Sequence, residues 1–68
     1  MYYGFVLDGP DECSETKEFK KPQEAHSWMM TRARVLKHEF YRIVISPTND
    51  YNCPIEIMPG RYSRYEES

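Results

Sequence analysis

A chain of 68 residues has room for one domain with one small hydrophobic core. Its hydrophobic content of 40% and aromatic content of 15% exclude a disordered, highly charged chain. The formal net charge of −2 is unevenly distributed: residues 1–18 carry five acidic side chains and one lysine, whereas residues 19–46 carry six basic and two acidic ones. This charge dipole favours oriented docking on a partner over uniform binding to phosphates.

The N-terminal residues lack the basic start and apolar run of a secretory signal. No apolar stretch approaches the roughly 20 residues that a membrane-spanning helix needs. We therefore expect a soluble, cytoplasmic protein that makes no membrane contact. Cys13 and Cys53 are the only cysteines, and in a reducing compartment we expect two free thiols, although a bridge between them stays open.

The first predicted element is a strand over Tyr2–Leu7, because aromatic and aliphatic residues follow one another with a period of two. The next four residues have turn chemistry, since Gly9 tolerates unusual backbone angles and Pro10 donates no hydrogen bond. A short second strand is expected over Thr16–Lys20, with Phe19 as its apolar anchor.

The longest periodic segment predicts one helix over Pro22–Glu39. Pro22 suits the first helical position because its missing N–H would have no partner there. Glu24 places a negative charge near the positive end of the helix dipole. At 100° per residue the apolar side chains fall within one arc, which should face the core: Ala25, Trp28, Met29, Ala33 and Leu36.

Two further strands are predicted after the helix, over Phe40–Ser46 and Pro54–Met58. Pro47 ends the first of them, and residues 48–52 are rich in turn formers. Pro54 suits the first residue of an edge strand.

These elements predict a small α+β domain of order β-β-α-β-β, with one helix on one face of an antiparallel sheet of three or four strands. The domain should span residues 1–62, with a frayed tail over 63–68. The predicted core comprises Tyr3, Phe5, Leu7, Phe19, Ala25, Trp28, Met29, Leu36, Ile43, Ile45, Ile55 and Ile57. The face that the helix leaves uncovered should present Tyr2, Val6, Val44 and Met58, with Arg42 and Glu56 between them.

The histidines and cysteines do not have metal-site spacing. His26 and His38 are roughly 18 Å apart along a continuous helix, so they cannot bind one ion together. We therefore predict no metal site and no cofactor.

We also predict no catalytic residues. No glycine-rich loop surrounds a serine or could hold a phosphate, since the three glycines are scattered. Cys13 lies among acidic residues, which disfavour the thiolate that a nucleophile needs.

An alternative function is nucleic-acid binding through Arg34, Lys37 and Arg42. The segment Phe19–Trp28 resembles the strand-to-helix junction of integrase arm-type DNA-binding domains, in which a Phe ends a strand and Glu-Ala with a downstream Trp opens a helix. The likeness covers about ten residues. That family places its sheet before the helix, whereas two strong strands here follow it, so we transfer no function from the resemblance.

The preferred function is binding to another protein. Six Tyr, one Trp and four Met are more than the core of so short a chain needs, and these residue types are enriched in interfaces. Size and the lack of catalytic motifs fit an accessory regulator or inhibitor of the kind that viruses and mobile elements encode, and a homodimer is the simplest partnership. The candidate contact residues are Tyr2, Val6, Arg42, Val44 and Met58 on the uncovered face, and Asp8, Asp11, Glu12 and Glu15 in the acidic segment.

Overall fold

The fold is known from a computed structural model that describes residues 1–62. In chain order it contains strands β1 (Tyr2–Gly9) and β2 (Glu12–Phe19), helix α1 (Pro22–Val35), and strands β3 (Arg42–Ser46) and β4 (Glu56–Pro59). All neighbouring strands are antiparallel, in the order β2-β1-β3-β4. The predicted small α+β fold, with one helix on an antiparallel sheet, is confirmed. The predicted tail over 63–68 lies outside the described residues.

The β1–β2 hairpin is longer than predicted, because β2 begins at Glu12 and not at Thr16. Strand β2 is an edge strand, and Phe19 is its one buried side chain. Such a strand needs no apolar alternation, so the sequence pattern did not reveal its first half. Its register against β1 shifts near Leu7, where the Ser14 hydroxyl donates to the Val6 carbonyl at 3.2 Å.

Helix α1 ends at Val35, four residues before the predicted end. The N–H of His38 bonds to the carbonyl of Ala33 at 2.9 Å, and the N–H of Lys37 bonds to the carbonyl of Arg34 at 3.1 Å. This pair of bonds is a Schellman motif, and it requires left-handed backbone angles that glycine usually supplies. Here Lys37 and His38 adopt them, with φ of 55° and 60°. Because no glycine marks this position, the sequence does not indicate that the helix ends here. The chain reverses direction at Lys37 and His38, and Phe40 after them is fully buried.

The main core lies between α1 and the sheet. Ala25, Met29 and Ala33 form the buried stripe of the helix, as predicted. They pack against side chains from the strands and the connections, namely Val6, Phe19, Phe40, Ile43 and Ile45. Trp28 and Leu36 are partly buried at the edge of this cluster.

The predicted face of β1 is wrong. Val6 and Tyr2 lie on the helix side, whereas Phe5 and Leu7 belong to a second cluster on the opposite side of the sheet. Both faces of β1 carry apolar residues, so a period of two cannot say which face the helix covers. Gly4 marks the face of β1 that the helix covers, because a Cβ at this position would overlap the ring of Trp28.

The predicted face of β4 is also wrong, because Met58 packs on the helix side and Ile55 and Ile57 are exposed. The assignment of Ile43 and Ile45 in β3 to the helix side is correct. We call the sheet face opposite α1 the second face.

Gly60 provides a test of the packing beyond β4. Its N–H donates to the Tyr41 carbonyl at 2.9 Å, and an added Cβ would overlap the carbonyl of Phe40. We expect Gly60→Ala to lower the free energy of unfolding by about 1–3 kcal/mol, the usual effect of forcing a methyl group into filled space. Urea titration followed by tryptophan fluorescence measures the change.

Gly9→Ala is the matched control, because an added Cβ there would meet Glu12 at an ordinary 3.6 Å. Its free energy of unfolding should change by less than about 1 kcal/mol. Equal stability of the two variants would contradict the close approach of Gly60 to Phe40.

Candidate functional site

The second face of the sheet carries its own apolar cluster. Phe5, Leu7, Tyr41 and Val44 are at most 5% exposed, although no helix lies over them in the described part of the chain. Two partly buried rings pack against them, Tyr3 of β1 and Tyr51 of the loop between β3 and β4. We call this loop, residues 47–55, the covering loop. Within it Tyr51 packs its ring edge-on against Phe5, with ring centroids 5.8 Å apart and planes at 70°. Such edge-to-face pairs are favourable beyond their buried area.

Ser46 holds the covering loop in place. Ser46 is fully buried. Its hydroxyl donates a hydrogen bond to the Cys53 carbonyl at 3.1 Å and accepts one from the Thr48 N–H at 3.2 Å. One side chain at the end of β3 therefore ties both ends of the loop to the sheet. Inside the loop, the N–H of Asn52 donates to the Asp50 carboxylate at 2.9 Å.

The predicted uncovered face does not exist as one surface. Arg42 and Val44 lie on the second face, but Tyr2, Val6 and Met58 pack on the helix side. Val6 and Val44 are each 2% exposed, so neither can touch a partner while the fold is intact. The physical reason is the same as for the core: the phases of β1 and β4 are opposite to those predicted.

A cleft of about 180 Å³ lies on the second face beside the covering loop. Its apolar walls are Leu7, Pro10, Val44, Tyr51, Pro54 and Ile57. Its polar lining is Tyr41, Arg42 and Asn52. Arg42 is half-buried, and its guanidinium carbon lies over the Tyr41 ring, 4.8 Å from the centroid.

Next to the cleft, the last residue of the covering loop and β4 each expose one large apolar side chain. Ile55 and Ile57 are 56% and 47% exposed, and Ile57 also lines the cleft. We call these two residues the β4 strip. Both residues were predicted to lie in the core. Neither Tyr51 nor Pro54 was predicted to line a contact surface, because residues 48–52 look like an ordinary polar loop. Pro54 was a usable signal, since it favours an edge strand whose side chains are only partly covered.

Three of the four predicted acidic residues remain on the surface. Asp8, Asp11 and Glu12 are exposed around the β1–β2 turn, beside the Pro10 that lines the cleft. Glu15 is half-buried and accepts a hydrogen bond from the guanidinium of Arg32 at 2.9 Å. Glu15 therefore joins β2 to the helix.

The basic residues of the nucleic-acid alternative do not share one surface. Arg34 is exposed on α1, and Lys37 is exposed in the turn after it. Arg42 lies on the second face, on the other side of the sheet. The predicted set of three is therefore divided between opposite sides of the domain.

The remaining titratable groups do not assemble into a metal site. Among residues 1–62, no group of three His, Cys, Asp or Glu side chains could hold an ion. The Nδ1 atom of His26 lies 2.6 Å from a carboxylate oxygen of Glu56, a contact that links α1 to β4. Cys13 and Cys53 are exposed free thiols. The one helix described is too short and too polar to cross a membrane.

Comparisons with known proteins add no family to this geometry. No protein-family model, curated protein or solved structure matches the chain.

Ser46→Ala tests whether one hydroxyl holds the covering loop. The change leaves the Cys53 carbonyl and the Thr48 N–H without their partner, so we expect a loss of about 1–3 kcal/mol in the free energy of unfolding. Amide hydrogen exchange of residues 47–55 should accelerate before that of α1.

Ser27→Ala is the control, because Ser27 is exposed on α1 and alanine is the better helix former. This variant should match the parent protein or exceed its stability. A Ser46→Ala protein with unchanged exchange in the covering loop would show that the hydroxyl is not what fixes it.

Proposed function

We propose that this chain is a non-enzymatic module that binds another protein, with the β4 strip and the mouth of the adjacent cleft as its contact surface. The observation that carries the proposal is the exposure of Ile55 and Ile57 at 56% and 47%. Burying such side chains against a partner contributes on the order of 1–2 kcal/mol each.

The shape of this surface favours a macromolecular partner. Ile57 lies in the edge strand β4 and Ile55 directly precedes it, and the outer side of this strand has no neighbouring strand in the described chain. Pro59 ends the strand and supplies no N–H, which removes one backbone donor from an edge of only four residues. Side-chain contacts at Ile55 and Ile57, with Tyr51 alongside, are then the main source of affinity.

The charges around the cleft support oriented docking. Exposed acidic residues surround the β1–β2 turn at one side, whereas Arg42 lines the cleft itself. Opposite charges on one face align a partner as it approaches. Nucleic-acid binding needs one continuous basic surface. It has less support than protein binding, because Arg42 lies on the opposite side of the domain from Arg34 and Lys37.

The module fits an accessory regulator or inhibitor that works in the cytoplasm, of the kind that viruses and mobile elements encode. Its partner is a different protein or, as a homodimer, a second copy of the chain. In either case the activity consists of occupying a surface of the partner.

The direct test is Ile57→Glu, which places a charge in the middle of the proposed contact. Crosslinked capture from lysate of the native host, quantified by mass spectrometry, should show partner recovery reduced about tenfold or more. Sedimentation of the purified protein should show the same effect on any self-association. Val35→Glu is the matched control, because Val35 is an equally exposed apolar residue at the end of α1, with 60% exposure.

The proposal predicts that Val35→Glu keeps the partners that Ile57→Glu loses. Circular dichroism establishes that both variants are folded. If both then capture the same proteins as the parent chain, the β4 strip is not the contact surface.

A further inference from the structure

We infer that the partner at the β4 strip is a second copy of this chain, with the two β4 strands side by side and antiparallel about a two-fold axis at Ile57. This inference rests on the proposed function and names the occupant of the same surface. The two four-stranded sheets then continue into one another across the axis.

Strand β4 is the edge of the sheet that can accept a neighbouring strand. Its register against β3 is regular, whereas the register of β2 against β1 shifts twice. Irregularity and charge are two devices that keep an edge strand from pairing. Strand β2 has both, with three acidic residues and one lysine, whereas Glu56 is the one charged residue of β4.

The residues of β4 match one another in an antiparallel pair centred on Ile57. Residues opposite each other in such a pair lie on the same face of the sheet. On the second face Ile57 then meets Ile57 of the second copy, and Ile55 meets Pro59. On the helix side Glu56 meets Met58, so no like charges are opposed. An axis moved by one residue to Glu56 would oppose two carboxylates, which disfavours that register.

Exposed apolar side chains flank this edge on both sides of the sheet. Ile55 and Ile57 are exposed on the second face. On the helix side, the contact of His26 with Glu56 places one flank of α1 beside β4. Met30 follows His26 by four residues, so it lies on the same flank, and it is 44% exposed. A second sheet that continues from this edge therefore covers apolar surface on both sides of β4.

The charge distribution allows two copies to approach each other at β4. Each copy has a net charge of −2, and its acidic turn joins β1 to β2, away from the β4 edge. In the joined sheet the β1 strands of the two copies are five strand spacings apart, about 24 Å at the usual spacing. Salt screens charges over about 8 Å at physiological ionic strength, so the acidic turns do not oppose the contact.

Sedimentation equilibrium of the purified full chain tests the inference. Between about 10 μM and about 1 mM, the weight-average mass should rise from that of the monomer toward twice that value. The paired strands are short and Pro59 supplies no donor, so we expect a dissociation constant on the order of 100 μM, at the weak end of protein interfaces. Because the contact is apolar, raising NaCl from about 50 to about 300 mM should change this constant by less than about twofold.

Opposite charges introduced at the axis test the two-fold pairing itself. Ile57→Glu and Ile57→Lys should each be monomeric, because each places like charges opposite each other. An equimolar mixture of the two variants should regain the dimer, since opposite charges then meet across the axis. Val35→Glu is the matched control and should sediment like the parent chain, because Val35 is exposed at the end of α1. Circular dichroism establishes that each variant is folded.

A parent chain that stays monomeric at every concentration, or a dimer that Ile57→Glu leaves intact, would overturn the inference. Failure of the equimolar mixture to dimerise would overturn the pairing at Ile57. If the parent chain is monomeric but Ile57→Glu loses a different protein from the host lysate, the proposed function stands without the second copy. Retained capture of that protein by Ile57→Glu would instead remove the proposed function itself.

Discussion

A single helix can cover only one face of a four-stranded sheet, and this constraint governs the rest of the structure. Both faces of the sheet are apolar at their centre, with Val6 on the helix side and Phe5 on the second face. Apolar surface left in water costs about 25 cal/mol per Å², so a second cover is needed. The covering loop supplies it, held by the buried hydroxyl of Ser46 and by the ring of Tyr51.

Helix α1 covers its face of the sheet more completely than the covering loop covers the second face. The proposed binding surface lies at the border of the loop. The helix contributes a continuous buried stripe, and its indole ring lies against Gly4, where a side chain would collide. The loop is held by the Ser46 hydroxyl, by the ring of Tyr51, and by the hydrogen bond from the Ile55 N–H to the Ile45 carbonyl at 2.8 Å. It covers the centre of the second face but leaves the cleft and the β4 strip at its border. The proposed binding surface is thus the part of the sheet that residues 1–62 leave uncovered.

The sequence predicts the elements of this fold better than their orientation. Periodicity locates the helix and the core side of β3 correctly, because the residues at the two ends of the other face of β3, Arg42 and Ser46, are polar. It fails for β1, where apolar residues occupy both faces, and for the helix end, where Lys37 takes a glycine-like conformation. Of the predicted contact residues, the alternation of β3 places Arg42 on the sheet face opposite the helix, and the structure has it there. Tyr51 was not predicted as a contact residue, because only the tertiary fold brings its polar loop back over the sheet.

The most direct test is a set of proton–proton NOEs measured on the monomer at low concentration. The account predicts contacts between the ring of Tyr51 and the ring of Phe5, whose centroids lie 5.8 Å apart, together with slow exchange of the Val44 amide. Absence of these NOEs would show that the second face is open and that the loop does not cover it.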